Sequence, residues 1–163
     1  MAGFASSAGG ISVRLEPHER GLLAELVHEM RTLLEADVPP EDEVLQRLFP
    51  RAYEEDADED AYRELIGGQL QDHKIAALLA IQRHLEQDPS APTLELDGED
   101  LDAWLAWLTD VRLAIGTRLG ITEEKMEVEV DPDDPDSAAL SVLHWLGWLQ
   151  EGSLQAMSEG EPR

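Results

Sequence analysis

The chain has 163 residues and a mass of 18.1 kDa, enough for one hydrophobic core and too little for two full domains. Its 36 Asp and Glu residues against 12 Lys and Arg leave a net charge of −24, which favours solubility and repels nucleic-acid phosphates and anionic membranes. No cysteine is present, so disulfides, thiolate metal sites and thiol-based redox sensing are closed to these residues. Met1 to Gly10 carries no positive charge and no continuous apolar run, and nowhere do 18 apolar residues follow one another. The expectation is a cytoplasmic, unanchored protein.

Met1 to Gly10, rich in Ala, Ser and Gly, reads as a flexible lead, and 11–157 as a single helical domain followed by a flexible tail at 158–163. Ile11, Val13 and Leu15 alternate with polar residues, the period of a short strand. Pro17 suits a first helical turn, and Leu22, Leu23, Leu26, Val27, Met30, Leu33 and Leu34 then form one apolar stripe of a helix bounded by Asp37 and Pro39-Pro40. Val44, Leu45, Leu48 and Phe49 make about two further turns before Pro50 stops them. The acids from Glu54 to Asp60 read as a loop.

From Asp60 to Gln87 the period is helical, but the apolar stripe changes side. Tyr62, Leu65 and Ile66 lie on one face, and Ile75, Leu78, Leu79 and Leu85 lie nearly opposite. Gly67-Gly68 falls between them, so a kink or break is expected there, with Asp72 available to cap a second piece. Thr93 to Asp97 alternates like the first strand, and two short strands are best stabilised by pairing with each other. A long helix follows, capped within Asp97 to Glu99 and ended by Gly120. Met126, Val128 and Val130 could add a third strand or form a loop. The last helix is expected to start at Asp134-Pro135 and to carry Val142, Leu143, Leu146 and Leu149 on its inner face. The fold class is therefore mainly α, a compact domain of five or six helices with a small antiparallel β element of two strands, or three if the last candidate pairs.

Two features stand out as sites. In the long helix, Leu101, Trp104, Leu105, Leu108, Val111, Ile115 and Leu119 define a stripe whose centre falls near Arg112 at 100° per residue. A guanidinium there needs a carboxylate, because an unpaired buried charge costs several kcal/mol. The preferred reading is a structural ion pair to an acid on the first helix or on the Asp60–Gln87 segment. The alternative is that Arg112, with Arg118 nearby, receives an acidic group from a partner. In the last helix, Trp145 and Trp148 fall outside the inner stripe and leave most of the circumference apolar. Either that helix sits centrally, or its second face is an oligomer or partner surface, where Trp is enriched. Trp107 is a further interface candidate.

Catalytic and metal signatures are missing. His28-Glu29 is not followed by the second histidine of a helical zinc site, since Thr32 stands there. His73 and His84 would stand about 16 Å apart along a helix at 1.5 Å per residue. Asp131 to Asp136 has Asp136 where a calcium loop needs glycine and Val142 where it needs glutamate. No phosphate loop, nucleophile elbow or Cys/His pairing occurs. No cofactor is expected and no enzyme activity is indicated, although a carboxylate pair hidden among so many acids leaves a hydrolase as a third reading.

The stretch from Trp104 to Ile121, WLAWLTDVRLAIGTRLGI, resembles the signature of an actinobacterial family of unknown function that includes oxidative-stress transcription regulators of the AosR type. Val13 to Pro17, Leu48 to Tyr53 and His144 to Gln150 support the resemblance, which spans nearly all of the expected ordered chain. It implies a transcription-associated regulator that contacts the transcription machinery, for example a sigma factor, and a genomic neighbourhood shared with a Clp proteolytic adaptor. The family-like positions are Asp110, Arg112, Gly116, Thr117 and Arg118. Redox sensing in the regulator type relies on a cysteine pair, which this chain lacks, so an intramolecular disulfide cannot carry a response here. The leading expectation is a non-enzymatic regulatory interaction module that self-associates, as a dimer, and binds the transcription machinery. A Clp-linked adaptor is the competing one.

One expectation follows from charge alone. The isolated protein should form no tight complex with duplex DNA at physiological salt, and an anisotropy titration yielding a nanomolar, salt-sensitive complex would contradict it.

Overall fold

A computed structural model describes residues 3–35, 43–49, 54–120 and 133–160, with only the backbone for 62–68. Three short strands, β1 (Gly3–Ser7), β2 (Gly10–Arg14) and β3 (Thr93–Asp97), form one antiparallel sheet in the order β1-β2-β3. The alternation in β2 turns Ile11 and Val13 to the core, where they pair with Leu96 and Leu94. Gly10 faces the backbone of Leu96 and Asp97 so closely that a Cβ would collide with it. The pairing of β2 with β3 is the one expected.

The expected flexible lead is instead β1, joined to β2 through a two-residue turn at Ala8-Gly9. Gly9 has φ of 79°, the positive value at the second central position of the turn that glycine reaches without strain. Glycine here supplies a turn rather than disorder. The third strand thus comes from the start of the chain, and the candidate at Met126–Val130 lies outside the described residues.

Helix α1 (Pro17–Glu35) begins with half of a capping box: the Glu19 carboxylate reaches back to accept the Glu16 amide at 3.0 Å, with Pro17 at the first helical position. Leu23, Leu26, Val27, Met30 and Leu34 are buried as the stripe predicts. One turn earlier the same stripe runs into Glu19 and Arg20, each only 7% exposed. Arg20 donates through Nη2 to the carbonyls of Leu85 (3.1 Å) and Asp88 (2.9 Å), the last turn and C-cap of the next long helix. Glu19 accepts, besides the cap, the indole N–H of Trp145 at 3.1 Å. Helix α2 (Glu43–Leu48) buries Val44 and Leu48 as expected.

Helix α3 runs without interruption from Asp56 to Gln87, so the break expected at Gly67-Gly68 does not occur. Two interior glycines cost about 1 kcal/mol each. The C-terminal half offsets this by packing on two helices at once. Gln71 donates to Leu34 O (2.6 Å) and Arg31 to Gln82 (3.3 Å) on the α1 side, while Lys74 pairs with Asp110 (2.9 Å) and His84 with Asp100 (2.7 Å) on the α4 side. The buried stripe is Leu78, Ile81 and Leu85, with Leu79 largely exposed. The acids expected as a loop instead open the helix: Asp56, Asp58 and Glu59 form its first turn, where negative charge favours the helix dipole. After α3 the chain turns at Asp88, whose carboxyl is held below the usual aspartate range, first by the Ser90 hydroxyl (2.8 Å) and then by the Ser90 amide (3.2 Å).

Helix α4 (Gly98–Leu119) lies against α2, α3 and the final helix as well as β2 and β3. Gly120 at φ 63° stops it as predicted, its N–H directed at the carbonyls of Gly116 and Thr117. Helix α5 (Ser137–Glu159) covers β1 and β2 and starts two residues later than expected. Asp134 caps a preceding turn instead, its Oδ1 accepting the Asp136 amide at 2.8 Å. At the other end the helix continues through Ser158 and Glu159, where a tail was expected, and 161–163 lie outside the described residues.

Replacing Glu19 by Ala removes both the cap and the indole acceptor. The expected loss is about 1–3 kcal/mol of stability, read in urea as a lower midpoint at unchanged slope. His18→Ala, at an exposed neighbour, should stay within about 0.5 kcal/mol.

Candidate functional site

The residues singled out in the sequence separate into an interior set and a surface set. Trp107 is interior: it is 2% exposed and lies 6.1 Å from the ring of fully buried Trp104, so it cannot be an interface in the folded chain. Trp104 donates its indole N–H to Ser153 Oγ (3.0 Å), and Ser153 in turn donates to Leu149 O (2.7 Å), a buried polar chain between α4 and α5. Trp145 is half-buried with its N–H committed to Glu19, so it joins α5 to α1. Asp110 is taken by Lys74 between α3 and α4, and the Lys74 ammonium also lies 5.8 Å from the Phe49 ring centroid of the segment after α2. Thr117 bonds back to Leu113 O at 2.7 Å, a local helix contact. Arg118 is exposed.

Arg112 departs from expectation in both depth and partner. With Trp107 and Ala114 buried and Leu105 only half-buried, the buried stripe of α4 is centred away from Arg112, which sits half-buried at its edge. Its Nη1 donates to Gln150 Oε1 at 2.6 Å, and Gln150 donates to Thr109 Oγ1 at 2.7 Å, which is itself tied to Leu105 O. The partner is thus a neutral amide on α5, and no carboxylate among the described residues pairs with the guanidinium, against the expected acid on α1 or α3. The guanidinium lies over Gly147, where a Cβ would come within 3.3 Å of Nη2. Its Nε is sealed from solvent with no acceptor among the described residues.

Beside it, α4 and α5 form an open groove of about 460 Å³. Arg112, His144 and Gly147 line it, with Trp148, Glu151 and Leu154 along the same face of α5. His144 Nε2 is likewise sealed and without a partner among the described residues. Trp148 and Leu154 are 37% and 50% exposed, large apolar side chains left in solvent on one helix face. Trp148 is also held from below by an edge-to-face contact with Phe4 of β1, centroids 5.1 Å apart. Phe4 in turn fills the space over Gly152, where a Cβ would overlap the ring.

Elsewhere, Glu16, His18 and Glu19 are the group of ligating side chains that converge among the described residues, within 4.8 Å of one another. Both Glu19 oxygens already accept hydrogen bonds, from the Glu16 amide and from Trp145, so that carboxylate serves the fold. No described helix is long and apolar enough to cross a membrane.

Sequence reasoning missed Glu19, Arg20, Gln150, His144 and Phe4. The first two were readable by carrying the α1 stripe back one turn from Leu23. Gln150 and His144 needed the rotation of α5 against α4, which periodicity does not give, and Phe4 needed the hairpin.

A mainly α protein with a small antiparallel sheet and a mixed apolar and polar recess between α4 and α5 is the class these features define. The chain belongs to the domain-of-unknown-function family DUF2017, whose profile matches residues 1–157. It is similar to the protein named oxidative stress regulator AosR in Mycobacterium tuberculosis and in Mycobacterium bovis. Each is 30% identical over 169 residues, covering 84% of this chain and 77% of the relative. The putative oxidative stress regulator AosR of Mycobacterium leprae is 32% identical over 171 residues, covering 83% and 76%. No solved structure matches the chain significantly.

The Phe4–Gly152 contact gives a sharp test of how β1 meets α5. In an open helix Gly→Ala gains about 1 kcal/mol. Here Gly152→Ala should instead cost about 1–3 kcal/mol through overlap with the Phe4 ring. In a Phe4→Ala background the same change should become stabilising, a coupling read from a urea double-mutant cycle.

Proposed function

We propose that this chain is a non-enzymatic regulatory module that works by binding a protein of the transcription machinery, such as a sigma factor, through the α4–α5 groove. The observation that carries the reading is the pair Trp148 and Leu154, large apolar side chains exposed together beside a recess. Aromatic anchors next to a pocket are the usual seat of binding energy in protein interfaces. The net charge of −24 adds direction: it draws a partner with a basic surface and discourages direct contact with DNA. The names of the mycobacterial relatives support a regulatory role, and an interaction module needs no catalytic cluster. With no cysteine, the signal reaching this chain cannot be oxidation of its own thiols. The exposed Trp148 face is also where self-association into a dimer would occur, although −24 on each copy opposes it.

Affinity capture of the full chain from its native cells tests this reading. RNA polymerase or a sigma factor should co-purify with the unaltered protein and be lost with Trp148→Ser/Leu154→Ser, while the chain stays folded at a cost of about 1–3 kcal/mol, because Trp148 also gives up its edge-to-face contact with Phe4. Recovery of a Clp component instead would make the chain a proteolytic adaptor. Capture unaffected by the double substitution would remove the groove from the account.

A further inference from the structure

We infer that the partner inserts a carboxylate, an Asp or Glu side chain next to an apolar one, onto the unpaired Nε–Nη2 edge of Arg112. The inference rests on the reading of the α4–α5 groove as a docking surface and names the chemistry of its centre. A guanidinium offers five N–H donors in a fixed fork and has no neutral state in proteins. In Arg112 only Nη1 has an acceptor among the described residues, Gln150 Oε1 at 2.6 Å. The Gln150–Thr109–Leu105 chain fixes that acceptor, so the plane of the guanidinium is held before any ligand arrives. The opposite edge, Nε and Nη2, is left over. Its two N–H bonds run parallel at the spacing of two carboxylate oxygens, the geometry of a bidentate arginine–carboxylate pair, with Nε covered until a ligand docks.

Three observations favour a carboxylate over other ligands. Buried polar atoms are nearly always paired, and Arg112 Nε, an obligate donor at the groove, is sealed without a partner among the described residues. Such atoms penalise the free protein and reward whatever satisfies them. Gly147 allows the guanidinium to lie flat on α5, since a side chain there would press on Nη2. Glu151 on the same rim and the net charge of −24 select against a polyanion such as a phosphate chain and leave a single carboxylate as the fitting anion. Trp148 and Leu154 beside this edge supply the apolar contact for the neighbouring side chain. Because Nε is covered in the free protein, docking requires that cover to shift, an ordinary rearrangement on binding. A basic partner surface would then provide long-range attraction, and the inserted acid would fix the register, since wrong charges at such a point are strongly disfavoured.

The test uses the full ¹⁵N-labelled chain and two blocked peptides, acetyl-Phe-Glu-Leu-amide and acetyl-Phe-Gln-Leu-amide, which differ only in the charge. NMR follows the Arg112 Nε–H and Trp148 indole N–H signals. The Glu peptide is expected to shift both and to bind about ten-fold or more tightly than the Gln peptide, the usual worth of a charge-assisted hydrogen bond. Arg112→Gln should erase the difference, and Arg112→Lys, which keeps the charge but not the fork, should reduce it. If Arg112→Gln does not fold, the two peptides on the unaltered protein still decide. Equal binding of both at Trp148 overturns the carboxylate inference and leaves the apolar docking surface standing. No shift of either signal with the Glu peptide also overturns it, and the docking surface is then judged by the capture experiment alone.

Discussion

Helix α4 has to be buried on several sides at once, and the rest of the molecule is arranged to satisfy that demand. Trp104, Trp107, Leu108, Val111 and Ala114 are all in the interior, so α2, α3, α5 and the sheet must each cover part of one helix. Covering such a helix with other helices leaves polar side chains between them, and these must find partners in low dielectric. The pairs observed are of that kind: Lys74 with Asp110 and His84 with Asp100 toward α3, and Trp104 with Ser153 and Arg112 with Gln150 toward α5. The interior of this acidic protein is thus held by a few specific polar contacts set into an apolar mass, while most of its negative charge lies in solvent.

A second group of contacts ties the periphery to that centre. Glu19 and Arg20, adjacent in the first turn of α1, reach in different directions, the acid to Trp145 of α5 and the base to the carbonyls that end α3. Helix ends leave carbonyls without partners, and a guanidinium placed there satisfies two of them with charge-assisted bonds. One dipeptide therefore ties the end of α3 and the flank of α5 to α1. The orientation of α5 in turn determines that Trp145 faces inward and Trp148 outward, which is the distinction that separates a structural tryptophan from a surface one.

Much of the fold was legible from residue order. The stripe of α1, the Gly120 stop of α4, the short α2 before Pro50 and the β2–β3 pairing all followed from local patterns whose physical causes lie within a few residues. The errors arose where tertiary contact overrode local preference. Gly67-Gly68 did not break α3 because packing on both α1 and α4 sustains the helix, and the acids at its start became a first turn because the helix dipole welcomes them. Gly9 and Gly10 looked like flexibility because composition cannot distinguish a loose glycine from one needed for a turn or a close backbone approach. For the site, Arg112 and Trp148 stood out in the sequence as residues out of place on their helices, and both line the groove. The partner of Arg112 was misjudged because charge balance suggested an acid, whereas helix rotation delivered Gln150.

The seating of β1 has a consequence for how this molecule comes into being. Phe4 rests on Gly152 and against Trp148, and Ser6 lies beside Gly160, so the earliest strand completes its contacts only on the last helix. During synthesis the β1–β2 hairpin must wait, incompletely covered, until α5 has left the ribosome. Its closure is then a long-range event of high entropic cost, one that belongs late in the order of assembly.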